Sequence, residues 1–339
     1  MSMTPKENYL TVLNGGVPEW VPTLVFGQAP QGRVSAMTMI GAPRLTDHFF
    51  DPAATTSIWG VNFVTESIGG VKLPEPGNFI LEDVRQWRDV IKAPDFSGVD
   101  WKDEFRKSFE ARNIDRNTTA VSYSLETGFF QTFVSFMGFG GALCAMYEEP
   151  EEVKALLQYL SDFYYEIDKV CIESCQPDMA SIVDDTATWQ NPFFSPDMFR
   201  EIFKPFYTRH ASLAMDMGLK IDMHNCGRCE DFIDDWLDFG IHCWNPAQTS
   251  NDLDGIKKKY GNRLVIAGGW DARGELLSPD VPEAKIKQAV RDTIDRFAPG
   301  GGYIFCGGFL GPKDDEATAQ KNRWIAEAVD EYGSVFYKK

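Results

Sequence analysis

The chain has 339 residues, 43% of them hydrophobic, enough for one large buried core or two medium ones. A formal net charge of −17 offers phosphate no basic face, which argues against nucleic acid as a partner. Seven cysteines, an odd number, argue against a disulfide framework; with no export segment at the N-terminus and no apolar run of membrane-spanning length, the expectation is a soluble, cytoplasmic protein with free thiols.

Thr4-Pro5-Lys6-Glu7 has the form of a capping box with proline at the first helical position, so a helix is predicted to run to Asn14 and stop at Gly15-Gly16. Residues 20–26 read as the first strand. Residues 40–115 are irregular and rich in glycine and proline, with a helical pattern only over 81–91, and are expected to form a lid or insertion over a site. From there the period is regular. Strands are predicted at 118–124, 179–184, 219–224, 241–244, 263–267 and 303–306. Helices are predicted at 149–175, 195–217, 231–239, 253–260, 282–297 and 316–332. Alternation of short apolar strands with helices means a parallel sheet covered by helices. Seven strands are legible and an eighth is expected in the irregular region, which favours a (β/α)8 TIM-type barrel forming a single domain over residues 1–339.

Three side chains suit a soft metal: His224 and Cys226 in Asp222-Met223-His224-Asn225-Cys226-Gly227, and Cys306 in Tyr303-Ile304-Phe305-Cys306-Gly307. Each follows an apolar strand, and in a barrel the C-terminal strand ends converge on one mouth, so the sequence distance to Cys306 is no obstacle. Two thiols and an imidazole suit zinc, and three protein ligands leave a position open for chemistry. Asp184 and Asp185 end the strand before His224, and Glu126 ends the strand before that; each is a candidate acid, and one of the aspartates a candidate further ligand. Phe26, Trp59 and Trp189 are placed to line a wide mouth, and Asp271 follows Gly268-Gly269 at another strand end. Cys243 is a reserve ligand. Cys229, which makes a Cys-x-x-Cys with Cys226, is expected to stand aside in the following helix.

From Asp184 to the C-terminus the chain resembles the uroporphyrinogen decarboxylase superfamily. The resemblance is carried by Asp184-Asp185, Ser195-Pro196-Asp197-Met198-Phe199, His224-Asn225-Cys226-Gly227, Asn245-Pro246-Ala247-Gln248, Lys259-Tyr260-Gly261-Asn262, Gly268-Gly269-Trp270-Asp271 and Ala298-Pro299-Gly300-Gly301-Gly302-Tyr303. Its metal-free decarboxylases hold their substrate's carboxylates with an arginine-rich segment near the first strand, where this chain has one arginine, Arg33. Its other large branch, the zinc-dependent methyltransferases that exchange methyl groups with corrinoid proteins, carries His-x-Cys and a distant Cys, as do His224, Cys226 and Cys306. The resemblance thus implies Zn2+, a corrinoid carried by a partner protein, and a small methyl donor or acceptor such as a methyl ether or a thiol. A metal-free decarboxylase, and a barrel that only binds a corrinoid or a metal, remain the alternatives.

Overall fold

The computed structural model describes residues 2–24, 34–46, 53–66, 70–312 and 314–338. In chain order its strands are β1 (Thr23–Leu24), β2 (Met37–Ile40), β3 (Phe63–Thr65), β4 (Lys72–Pro74), β5 (Ala120–Ser124), β6 (Met179–Val183), β7 (Lys220–His224), β8 (Ile241–Ala247), β9 (Val265–Gly269) and β10 (Tyr303–Cys306). Eight of them form one sheet in the order β1-β10-β9-β8-β7-β6-β5-β2, parallel throughout, which curls into a nearly closed (β/α)8 barrel. β3 and β4 pair separately as an antiparallel hairpin.

Alternation along each strand divides the core in two. Leu24, Met37, Ala120, Met179, Cys243, Val265, Ala267, Ile304 and Cys306 pack together inside the barrel, joined by Tyr9, Val12 and Leu13 of the helix Pro5–Leu13. That helix begins with the predicted capping box and packs on β5 and β10. The intervening residues, such as Val121, Ile182, Met223, Trp244 and Phe305, join a larger cluster beneath the surrounding helices.

The eighth barrel strand is β2, which lies at the threshold of the irregular stretch rather than within it. Its four residues, Met37-Thr38-Met39-Ile40, are too few to show a period of their own. Between β2 and β5 the chain forms the β3/β4 hairpin, a short helix Trp87–Val90 and the helix Trp101–Ala111, capped by Asp100. The predicted 195–217 helix is interrupted by a π-turn over Phe199–Phe203. Pro205, one residue beyond its end, has no N–H to donate back to the preceding turn. Among the described residues no single helix is long and apolar enough to cross a membrane.

The long helix Pro150–Cys175 meets the helix Lys204–Asp216 through a wholly buried polar set. Asp168 accepts from His210 Nδ1 at 2.6 Å, from Tyr123 O–H at 3.0 Å and from the Glu126 N–H at 3.0 Å. His210 Nε2 lies 3.1 Å from Ser161 Oγ. The order Ser161-His210-Asp168 has the connectivity of a hydrolytic triad, but all three residues are fully buried, so no substrate reaches the hydroxyl. The set ties helices to strands.

Candidate metal centre

At the C-terminal ends of β6 and β7 the ligand atoms of Asp185, His224 and Cys226 lie within 4.8 Å of one another. Local structure fixes each of them. β7 delivers His224 as its last residue, and the chain then turns through Asn225-Cys226-Gly227. Asn225 bonds Thr186 through both side-chain atoms, and its carbonyl accepts from Trp244 Nε1 at 3.0 Å. Gly227 has φ +90°, and a Cβ there would sit 2.5 Å from the Thr188 carbonyl oxygen, so the turn admits only glycine. The Cys226 N–H donates to Asp185 Oδ1 at 2.7 Å, which brings the carboxylate beside the thiol.

His224 is oriented from behind. Its Nδ1 lies 2.8 Å from Asn245 Oδ1, while Nε2 faces Cys226 Sγ at 3.8 Å. Asn245 Nδ2 donates to Asp222, which also accepts from Ser181 Oγ; Ser181 Oγ is 2.5 Å from Ser122 Oγ. Burial lifts the Asp222 carboxyl to about 6 against the opposing hydrogen bond from Ser181, the pull of His224 and the bond from Asn245.

Cys306 stands outside the 4.8 Å cluster, on the interior face of β10 with Cys243. Burial pushes its thiol up to about 12. The Cys226 thiol is also raised, by burial first and then by the carboxylate of its neighbour Asp185. Without a positive charge beside them, both stay protonated at neutral pH. Cys229 is buried and its S–H points back at the Cys226 and Asn225 carbonyl oxygens. All seven cysteines are free.

The other predicted site residues fall in different places. Asp184 accepts from the N–H groups of Phe130 and Gln131 and from Tyr207 O–H, capping the helix Phe129–Met137. Burial, partly offset by those hydrogen bonds, raises it to about 7. The folded state therefore holds this proton more tightly than the unfolded chain, whose aspartate titrates near about 4. Its stabilising contribution is complete below about pH 4 and is lost as pH rises through about 7. Asp184→Asn is expected to flatten the decline in stability across that window, read as urea unfolding at several pH values; an unaltered slope would mean that Asp184 ionises without penalty.

Glu126 has its Oε1 out of solvent and without a hydrogen-bond partner; burial, then the charge of Asp168, raises it well above the usual carboxylate range. It faces the Asp168 network and is not part of the ligand cluster. Trp59 donates its Nε1–H to Tyr164 OH at 2.7 Å and packs edge-on against Phe136 and Phe163, within the helical layer. Trp189, 41% exposed, lies under the Arg273 guanidinium at 4.6 Å, and Arg273 pairs with Asp271 at 2.8 Å. Loops after β6 and β9 thus share a rim stack of Trp189, Arg273 and Asp271. Phe26 lies outside the described residues.

Asp222, Asn245 and Arg273 went without a role in the sequence. For Asp222 a signal exists: it precedes His224 by two, so both face the same side of β7, an odd place for a carboxylate in an apolar strand. Asn245 and Arg273 carry no such mark.

The donor set of imidazole, thiol and carboxylate fits zinc. A family model described as Uroporphyrinogen decarboxylase (URO-D) matches residues 124–320. Among solved structures, a methyltransferase from Methanosarcina mazei aligns with a TM-score of 0.61 at 15% identity, covering 98% of this chain and 99% of that one; at such identity the likeness is one of fold. A Xaa-Pro dipeptidase with bound methionine in its active site aligns at a TM-score of 0.32 and 13% identity, over 67% of this chain and 56% of that one, too remote to support an argument. No curated protein matches the chain.

Proposed function

The chain belongs to the uroporphyrinogen decarboxylase family, whose model spans more than half of it, and on that premise we propose a zinc-dependent methyltransferase working between a corrinoid partner protein and a small methyl ether or thiol. The observation that carries this reading is the meeting of Asp185, His224 and Cys226 at the barrel's C-terminal end, with His224 Nε2 turned to the thiol. His224, Cys226 and Cys306 hold the metal in this reading, and Asp185 is the exchangeable carboxylate beside it. When bound, zinc lowers the pKa of a thiol substrate or polarises an ether oxygen.

The chain's own residues supply the setting. Burial that keeps Cys226 and Cys306 protonated makes their thiolates dependent on a cation, so sulfur and metal stabilise each other. Asp185, held by the Cys226 N–H, is placed to take the proton that a thiol substrate loses. Trp189 under Arg273 offers a flat cationic stack at the rim, suited to an aromatic ether or to the edge of a corrin. Residues 25–33, after β1, carry one arginine where the resemblance gives the family's decarboxylases an arginine-rich segment, which favours methyl transfer over decarboxylation.

The direct test uses protein purified without chelator, assayed with methylcobalamin plus simple thiols and with reduced cobalamin plus aryl methyl ethers. Bound zinc is expected, with methyl transfer in one of the two assays, lost on chelation and regained on adding zinc. Full transfer by the zinc-free protein, or none under either condition, would overturn the proposal.

A further inference from the structure

Four polar side chains cross the barrel interior in single file: Ser122 on β5, Ser181 on β6, Asp222 on β7 and Asn245 on β8. Each is no more than 2% exposed, among apolar neighbours. Burying four such groups where methyl groups would pack is costly unless their order achieves something. The file ends on one atom, His224 Nδ1, 2.8 Å from Asn245 Oδ1.

An asparagine amide beside an imidazole is ambiguous by itself, since either end can face the ring. Here Asp222 resolves it. A carboxylate accepts, so it draws the Asn245 NH2 to itself, and the Ser181 hydroxyl donating to its other oxygen holds it in place. Asn245 must then present its oxygen to His224, and only an imidazole with hydrogen on Nδ1 can answer. That tautomer puts the lone pair on Nε2, the nitrogen facing Cys226 Sγ. The backbone is fixed as well: His224 and Asn245 are register partners, and the Asn225 N–H donates to the Asn245 carbonyl at 2.9 Å.

We propose that Asn245, oriented by Asp222, is a positioning residue that sets the His224 tautomer and thereby readies Nε2 as a metal ligand. The metal part of this claim rests on the function proposed above; the tautomer part does not. Two readouts separate them: long-range 1H–15N spectra of the histidines in zinc-free protein at a pH where imidazole is neutral, with the His224 signals assigned by their loss in His224→Gln, and zinc affinity by competition with a chromophoric chelator.

In the native protein the His224 signals should report hydrogen on Nδ1. Asn245→Ala should mix the tautomers and weaken zinc binding about ten- to a hundredfold, the usual effect of losing a partner of a ligating histidine. Asp222→Asn, which keeps the shape, should do so to a smaller degree because the Asn245 amide is freed to turn. Ser122→Ala, at the far end of the file, should leave tautomer and affinity unchanged; a merely structural ladder would respond alike to the loss of any rung. If the tautomer answers as described but the native protein binds no zinc, positioning stands and the zinc function falls. An Asn245→Ala protein with native tautomer and native affinity overturns the inference.

Discussion

Under the proposed function, Cys226→Ala is expected to lower zinc affinity by well over the roughly hundredfold that a supporting residue commands, and to abolish methyl transfer, because on that reading it removes a ligand and not a partner of one. The same measurement ranks the remaining donors. Cys306 is buried on β10 near Cys226, and Asp185 stands in the cluster itself. With Cys306 as a permanent ligand and Asp185 as an exchangeable one, Cys306→Ala should cost zinc at least about a hundredfold in affinity. Asp185→Asn should keep most of the affinity and lose rate. The reverse ranking would make Asp185 the third ligand and leave Cys306 as an interior thiol. Metal content after dialysis, followed by chelator competition on each variant, decides between the two.

The second large effect lies away from the metal. Asp168→Ala strands the His210 imidazole, the Tyr123 hydroxyl and the Glu126 N–H in a region closed to water. Removing one partner from such a buried set is expected to cost about 3–5 kcal/mol of stability, measured by equilibrium urea unfolding. Zinc affinity should be close to native under conditions where the variant remains folded, since no bond in the set touches Asp185, His224 or Cys226. A loss below about 1 kcal/mol, the worth of an ordinary exposed pair, would mean that the network contributes little. Asp168→Asn, which keeps the shape and some of the acceptors, should fall between the two.

How much of this protein is visible in its residues depends on the range of the interactions involved. Strand and helix order from residue 118 onward is largely local information: apolar period, caps and terminating glycines lie within a few residues of one another, and most observed elements follow them, although the helices Phe129–Met137 and Phe139–Glu148, between the predicted strand 118–124 and the predicted helix 149–175, have no counterpart among the predictions. The barrel follows from that alternation and from the preference for covering both faces of a parallel sheet. His-x-Cys at the end of an apolar strand marked the turn where the ligand atoms of Asp185, His224 and Cys226 come within 4.8 Å of one another. What the sequence left undecided was set by contacts between elements distant along the chain. Asp184 and Asp185 are neighbours with the same side chain, yet one caps the helix Phe129–Met137 and the other joins the ligand cluster. That division depends on which way successive residues point as the chain leaves β6, and on the presence of Tyr207 and the Cys226 N–H to receive them. Trp59 and Glu126 are drawn into the helical layer by Tyr164, Phe163 and Asp168, which come from a helix some forty to a hundred residues further on. The composition could name the donors, because ligand chemistry belongs to the side chain itself. Only the assembled sheet could aim them, because the bonds that turn His224 toward Cys226 run across β5, β6, β7 and β8.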